Sequence, residues 1–150
     1  KIKSYDEFNL TDALECMIQP GVKFQLCKVQ NWFDCGKKES LIASNAILLK
    51  KFGGNAHQSS DFPNTIIIQP VSIGEGCVIQ NSVIGPNVAI GEHSIVNHSI
   101  VKDSIIGAYS QLNEIVLTDS LIGSDAAVKG VSRNLNIGDN TEIDLGGTIR

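Results

Sequence analysis

Aliphatic residues recur along the second half of the chain with a period of 15 to 17 residues, in three interleaved columns. The first column holds Ile73, Ile90, Ile106, Ile122 and Ile137, the second Ile79, Val96, Leu112, Val128 and Ile143, and the third Ile67, Ile84, Val101 and Leu117. Such a repeat is typical of the hexapeptide coils of a parallel β-helix, in which three short strands form each coil. Each column then stacks one side chain per coil on the same inner wall. A β-sandwich would not keep three columns in register over five coils.

Small residues recur at fixed positions of the repeat, where this fold requires corners. Each member of the first column is followed by a glycine, namely Gly74, Gly91, Gly107, Gly123 and Gly138. We expect these glycines to allow a corner geometry that a Cβ would obstruct. Four places after each first-column residue comes Cys77, Ser94, Ser110, Ala126 or Thr141. The pairs Asn81-Ser82, Asp103-Ser104 and Asp119-Ser120 suit the hydrogen bonding of turn amides.

The first third of the chain has a different pattern, which predicts a small α+β segment. LTDALECMIQPG reads as a helix with Thr11 as its N-cap, ended by Pro20-Gly21. VKFQLCKV alternates as a strand does, and KESLIASNAILLKKFGG reads as an amphipathic helix closed by Gly53-Gly54. Because these elements make a poor core, we expect them to lean on a larger sheet. The predicted boundaries are 1–55 for this segment, 56–65 for a polar linker and 66–150 for the β-helix.

The two ends of the chain carry further expectations. VSRNLN (131–136) offers no clean aliphatic for the third wall, so the last coil is predicted to be irregular. The chain begins with Lys1 rather than Met, inside what reads as the middle of a domain, and we interpret it as a fragment.

Composition agrees with a β-rich interior, since 42% of residues are hydrophobic, only 5% are aromatic and 14 are glycine. The formal net charge of −4 disfavours non-specific nucleic-acid binding. No run has transmembrane length and no signal segment is present, so we expect a cytoplasmic protein without a membrane partner. Cys16, Cys27, Cys35 and Cys77 form no CxxC pair and are interpreted as reduced thiols.

The stretch NWFDCGKKES (31–40) places one carboxylate among aromatic and turn residues. With the Thr11-Asp12-Ala13 element before it and the SLIASN helix after it, this W-x-D-x-G element resembles the closing segment of a sugar-1-phosphate nucleotidyltransferase domain. Followed by hexapeptide coils, it looks like the long glucose-1-phosphate thymidylyltransferases and their uridylyl, adenylyl and guanylyl relatives. The resemblance implies that the β-helix coils left-handed.

The resemblance also implies a catalytic role for Asp34, as a ligand of the magnesium ion that neutralises crowded phosphate oxygens. The substrates of the full-length enzyme would be a nucleoside triphosphate and a sugar-1-phosphate. The family's Gly-rich phosphate loop and its second carboxylate are absent from the sequence, so we expect the fragment alone to be inactive. Asn9 and Cys35 depart from the family pattern and leave the sugar and the base open.

The neighbours of Asp34 receive structural roles. Trp32 and Phe33 are expected to pack rather than to stack on substrate, and Lys37 and Lys38 to be solvated at a helix start.

Two other functions remain open. One is a hexapeptide acyltransferase, whose base would be His93 or His98. Both histidines are predicted at turn-like surface positions, and residues 67–130 contain no extruded loop of the kind such enzymes use. The other is a non-catalytic regulatory subunit of a pyrophosphorylase-like complex.

The coils should also present flat, repetitive faces that pair about a symmetry axis. In SVIG, SIIG and SLIG one aliphatic of each pair should lean outward. We therefore expect a homo-oligomer, either a dimer or a trimer.

Overall fold

The computed structural model describes residues 10–29, 32–54, 61–130 and 135–145. Contacts divide the chain into two compact units, residues 1–32 and 33–150. In the first unit, helix α1 (Leu10–Ile18) ends in a turn where the Gly21 amide donates to the Ile18 carbonyl at 2.9 Å. The helix and its Pro20-Gly21 end are as predicted. The predicted N-cap is wrong, because α1 begins at Leu10 and Thr11 lies inside its first turn.

The strand predicted for residues 22–29 does not form in the structure. A strand needs a neighbour to satisfy its backbone amides and carbonyls, and no described residue of this unit supplies one. No residue of α1 is buried, and Leu26 is 97% exposed. The apolar side chains at 22–29 therefore alternate along the sequence as in a strand, but no described surface covers them.

In the second unit, helix α2 (Lys38–Phe52) lies against the β-helix, and Gly53 follows it with a φ of 68°. Ile42 and Leu49 are buried. The Asn45 side-chain amide donates to the Asn87 carbonyl at 3.1 Å. This helix is as predicted, and by contacts it groups with the coils. Residues 56–60, the first half of the predicted linker, lie outside the described residues.

Among the residues that the structure describes, fourteen short strands make up the β-helix. In chain order they are β1 (Ile66–Ile67), β2 (Val71–Ile73), β3 (Val78–Gln80), β4 (Val83–Ile84), β5 (Val88–Ile90), β6 (Ile95–Asn97), β7 (Ile100–Lys102), β8 (Ile105–Ile106), β9 (Gln111–Asn113), β10 (Val116–Thr118), β11 (Leu121–Ile122), β12 (Ala127–Gly130), β13 (Asn136–Ile137) and β14 (Glu142–Leu145).

The strands form three parallel sheets, one for each predicted column. Sheet 1 has the order β2-β5-β8-β11-β13, sheet 2 β3-β6-β9-β12-β14, and sheet 3 β1-β4-β7-β10. Within sheet 1, Ile73 pairs with Ile90, Ile90 with Ile106, Ile106 with Ile122, and Ile122 with Ile137. The predicted fold class, a mainly β parallel β-helix of about five coils, is confirmed. The irregular third wall predicted for the last coil falls largely at residues 131–134, outside the described residues.

The core consists of the predicted columns. Nearly all their side chains are buried, while Ile67 and Ile143 at the two ends are partly buried. Val71, Val88, Ile115 and Ala126 complete the interior at the corners. The predicted outward lean is also observed, since Val83, Ile105 and Leu121 are half-buried beside buried neighbours. Aliphatic burial is thus the main stabilising term of this unit.

Most corners turn through a residue with left-handed backbone conformation, placed just before a residue that faces the interior. The non-glycine residues of this kind have φ between 45° and 60° and are Asn64, Asn81, Asn87, His93, His98, Asp103, Tyr109, Glu114, Asp119, Asp125 and Asn140. Most are Asn or Asp, which tolerate this conformation better than other residues with a Cβ. Their backbone amides bond to the preceding coil, as when Asp103 donates to the Pro86 carbonyl at 3.0 Å.

Buried serines connect successive corners. The Ser82 hydroxyl donates to the Gln80 carbonyl at 2.6 Å and accepts the Ser99 amide at 3.1 Å. Ser104 does the same with the Lys102 carbonyl and the Ser120 amide, at 2.6 and 3.1 Å. A hydroxyl suits this place because it can donate and accept at once. The predicted role of these serines is confirmed.

The glycines after the first column are required by the approach of the next coil. A Cβ built on Gly74, Gly91, Gly107 or Gly123 would overlap with atoms of the following coil, whereas one on Gly138 meets nothing within 4 Å. None of the five has a positive φ. The obstruction predicted for a Cβ is therefore correct at the first four, and its cause is close packing.

Replacing Ile106 by alanine should destabilise the chain by about 2–5 kcal/mol, the usual cost of truncating a buried aliphatic side chain. Ile143→Ala should cost less, because Ile143 is only partly buried in the last coil. Urea unfolding followed by circular dichroism measures both. Equal losses would argue against a continuous stacked column.

Gly107→Ala should cost about 1–3 kcal/mol, since the added methyl overlaps with the backbone of Gly123 and Ser124. Gly138→Ala is the matched control and should be nearly neutral, because its methyl enters open space. Thermal unfolding of the two variants gives the comparison. A neutral Gly107→Ala would mean that the coils are farther apart than described.

Candidate functional site

Asp34 lies in a turn immediately ahead of α2. Its side chain is exposed, and Oδ1 accepts the Gly36 backbone amide at 3.1 Å. The next turn is closed by Ser40, whose hydroxyl donates to the Lys37 carbonyl at 2.9 Å and accepts the Lys37 amide at 3.4 Å. The carboxylate is therefore held near the positive end of a helix, where negative charge is favoured.

Asp34 fits a magnesium site only in part. Mg²⁺ prefers an octahedral shell of oxygen ligands, several of them water, with one or two carboxylates. The exposed carboxylate of Asp34 can supply one such ligand. Within residues 10–29, 32–54, 61–130 and 135–145, no group of three or more His, Cys, Asp or Glu side chains could hold a metal ion. A cluster of that size around Asp34 would need residues outside these ranges, and the metal role of Asp34 stays a prediction.

The neighbours of Asp34 differ in exposure. Trp32 is 79% exposed, so the packing predicted for its indole does not occur among the described residues. That prediction treated the tryptophan as a core residue, but no described surface covers it. Phe33 is half-buried, and Lys37 is exposed, as predicted for a helix-start lysine. Lys38 is half-buried rather than fully solvated.

A groove runs between α2 and one corner of the β-helix, with a volume of about 460 Å³. Its lining residues are Lys38, Glu39, Ile42, Ala43, Ala46, Asp103 and Asp119. Asp103 already accepts the Asn87 side-chain amide at 2.7 Å and pairs with Lys102 at 3.5 Å. No sequence pattern predicts this groove, because it depends on how α2 docks on the coils.

The two candidate histidines occupy different corners and are both exposed. The His93 ring stacks on Tyr109, with ring centroids 5.2 Å apart, and the Tyr109 hydroxyl donates to Glu92 Oε1 at 3.3 Å. Residues 61–130 run through the coils without an extruded loop. The predicted surface placement is confirmed. Tyr109 and Glu92 were not predicted, although the 16-residue spacing from His93 to Tyr109 identifies one shared corner.

Charge and burial raise the pKa values of two titrating groups in the coils. The negative charge of Glu92 is the main cause that raises the pKa of Tyr109, and Asp125 adds to it. Burial raises the pKa of the Cys77 thiol, which donates to the Gly91 carbonyl at 3.1 Å. Cys16, Cys27 and Cys35 are free and exposed. A thiol with a raised pKa is a poorer nucleophile at neutral pH.

Neither of the two described helices is long and apolar enough to cross a membrane.

Comparison with known proteins finds a partial sequence similarity. The chain is similar to the bifunctional protein GlmU of Baumannia cicadellinicola subsp. Homalodisca coagulata, with 28% identity over 138 residues. The match covers 71% of this chain and 29% of that protein, so the chain spans less than a third of its relative's length. No family model matches the chain. No solved structure matches it. The similarity and the coils together fit a hexapeptide-repeat domain, and they do not single out the thymidylyltransferase type.

Replacing Glu92 by glutamine should lower the pKa of Tyr109, because the charge that disfavours the phenolate is removed. An ultraviolet titration, with Tyr109→Phe subtracted to isolate this phenol, measures the shift. Glu114→Gln, on another corner, is the control and should leave the pKa unchanged. An unchanged titration in Glu92→Gln would show that the Glu92 carboxylate does not lie beside the Tyr109 hydroxyl in solution.

Proposed function

We propose that this chain is the carboxyl-terminal portion of a sugar nucleotidyltransferase, with the β-helix serving assembly or regulation. The full-length enzyme would convert a nucleoside triphosphate and a sugar-1-phosphate into a nucleotide sugar and pyrophosphate. The observation that carries the proposal is the order of elements: a W-x-D-x-G turn at 32–36, helix α2, and then hexapeptide coils. The similarity to a bifunctional protein GlmU supports a transferase of this general kind. The thymidylyltransferase type is the finer form of the proposal.

The exposed apolar side chains of the first unit support the proposal that a sheet from another part of the protein covers this unit. Leu10, Phe24, Leu26 and Val29 are between 46% and 97% exposed. Isolated exposed apolar residues are ordinary, but several along one short segment mark a surface that another part of a protein covers. The nucleotide-binding half of the proposed enzyme would provide that cover.

The proposed chemistry assigns one role to the described residues. A phosphate oxygen of the sugar-1-phosphate attacks the α-phosphorus of the nucleotide, and the bond from that phosphorus to the pyrophosphate oxygen breaks. A bound magnesium ion would supply charge neutralisation for the crowded oxygens. Asp34 would hold the ion through its exposed carboxylate. The bond from the Gly36 amide to Oδ1 fixes the orientation of that carboxylate and leaves Oδ2 as the candidate metal-binding atom.

A hexapeptide acyltransferase is the second candidate, and one observation favours it. His93 lies beside Tyr109 and Glu92 on an exposed corner, so an imidazole base has polar neighbours there. The absence of an extruded loop in residues 61–130 disfavours it, because no such loop walls the site. Incubating the chain with an acyl-coenzyme A and a sugar phosphate, with His93→Gln as the comparison, separates the two candidates.

In the complete enzyme, Asp34→Asn should lower kcat by about 100-fold or more while the fold is kept, since a lost metal ligand is felt mainly in the transition state. Pyrophosphate release from a sugar-1-phosphate and each nucleoside triphosphate is the assay. Glu39→Gln, an exposed carboxylate in the first turn of α2, is the control and should leave kcat near normal.

The present chain alone should release no pyrophosphate in the same assay.

Near-normal activity of Asp34→Asn in the complete enzyme at saturating Mg²⁺ would assign Asp34 to the structure of the turn instead.

A further inference from the structure

The turn that holds Asp34 belongs to the same compact unit as the coils. That unit comprises residues 33–150, so both the turn and helix α2 group with the β-helix by contacts. Local hydrogen bonds join the turn to the helix. The Gly36 amide donates to Asp34 Oδ1 at 3.1 Å, and the Leu41 amide donates to the Lys37 carbonyl at 3.0 Å. The Asp34 carboxylate therefore moves with the amino-terminal end of α2.

Three residues on one face of α2 differ in how they fix the helix on the coils. Ile42, Asn45 and Leu49 are spaced by three and four residues, which places them on the same side of a helix. Ile42 and Leu49 are buried, but apolar burial has no preferred direction and lets a helix tilt at little cost. The Asn45 side-chain amide donates to the Asn87 carbonyl at 3.1 Å. A hydrogen bond weakens when its length or angle changes, so of these three contacts the Asn45 bond is the directional one.

The carbonyl that accepts this bond is held firmly in the β-helix. The Asn87 backbone amide donates to the Pro70 carbonyl of the coil before it at 2.8 Å. The Asn87 side-chain amide donates to Asp103 Oδ1 of the coil after it at 2.7 Å. Val88, the next residue, is fully buried in β5. Asn45 is therefore bonded to a rigid point of the coils.

The groove beside α2 leaves room for its amino-terminal half to tilt. Lys38 and Ala43 of the helix and Asp103 and Asp119 of the coils are among the residues that line this groove of about 460 Å³. A helix rises about 1.5 Å per residue, so the first residue of α2 lies about 10 Å from Asn45 along the axis. A tilt of about 6° about Asn45 would move that end by about 1 Å.

We infer that Asn45 is a positioning residue for Asp34. Its bond to the Asn87 carbonyl sets the tilt of α2, and the β-helix thereby sets where the proposed metal ligand lies. A shift of about 1 Å at a catalytic group can lower a rate about 100-fold, so a tilt of a few degrees is enough to change catalysis. The catalytic consequence rests on the proposed nucleotidyltransfer, whereas the tilt of α2 is a property of the present chain.

Residual dipolar couplings of the backbone amides, measured by nuclear magnetic resonance on the present chain, report the orientation of α2 relative to the coils. Asn45→Leu should tilt α2 by about 6° or more, because leucine has a similar size but no donor. Leu49→Ala is the matched control. It removes a buried contact and keeps the Asn45 bond, so it should lower the melting temperature and leave the orientation unchanged.

Circular dichroism checks that both variants are folded, and Asn45→Ala replaces Asn45→Leu if the latter is not. An unchanged orientation of α2 in the Asn45 variant would overturn the inference. An equal reorientation in Leu49→Ala would overturn it as well, because the tilt would then follow burial and not the hydrogen bond.

The complete enzyme tests the consequence for catalysis. Asn45→Leu should lower kcat by about 10-fold or more and leave the KM of the sugar-1-phosphate near normal, since a misplaced metal ligand is felt mainly in the transition state. Leu49→Ala, assayed below its melting temperature, should keep both constants. A normal kcat in Asn45→Leu, in an enzyme that Asp34→Asn inactivates, would overturn the positioning role. A normal kcat in Asp34→Asn would refute the proposed function alone, because the orientation of α2 is read without activity.

Discussion

The structure depends on backbone hydrogen bonds that close each corner of the coil onto the coil before it. His93 donates to the Glu75 carbonyl at 2.8 Å, Tyr109 to Glu92 at 2.9 Å, and Asp125 to Ala108 at 2.9 Å. The donor residues at these corners have left-handed backbone conformation, which costs free energy for any residue with a Cβ. The cost is offset because correct closure keeps all coils nearly equal in length, so that one aliphatic side chain per wall falls on the one beneath it. Burial of the columns and closure of the corners therefore stabilise each other.

This constraint decides where chemistry can occur. The interior of the described coils is filled with aliphatic side chains and hydrogen-bonded serines. Exposed side chains that could take part in chemistry, such as those of His93 and Tyr109, lie at the corners. Asp34 lies outside the coils, in the turn before α2, and the bond from Asn45 to the Asn87 carbonyl ties that helix to a corner. We therefore propose that catalysis and assembly are divided between the part of the protein around Asp34 and the coils.

The sequence was sufficient to predict the three aliphatic columns, because a repeat that buries one side chain per coil appears as a regular spacing of aliphatic residues. It was sufficient for Gly107 and Ser104 as small corner residues, but not for His98 or Glu114 as left-handed ones. Those positions are set by chain direction at the corner and not by residue type, and only their place before a buried residue could have revealed them. The strand prediction at 22–29 was wrong because alternation of apolar and polar residues indicates two faces of a strand. It does not indicate whether a neighbouring strand is available for pairing. The groove under α2 and the His93–Tyr109 stack depend on tertiary placement, which no local pattern encodes.

Amide hydrogen exchange, resolved by residue with nuclear magnetic resonance, tests the dependence on closed corners most directly. The amides of His93, Tyr109 and Asp125 should exchange as slowly as those of the neighbouring strand residues Ile95 and Gln111, because all of them donate between coils. Corner amides that exchange at the rate of an unstructured peptide, while the strand amides stay protected, would contradict the account.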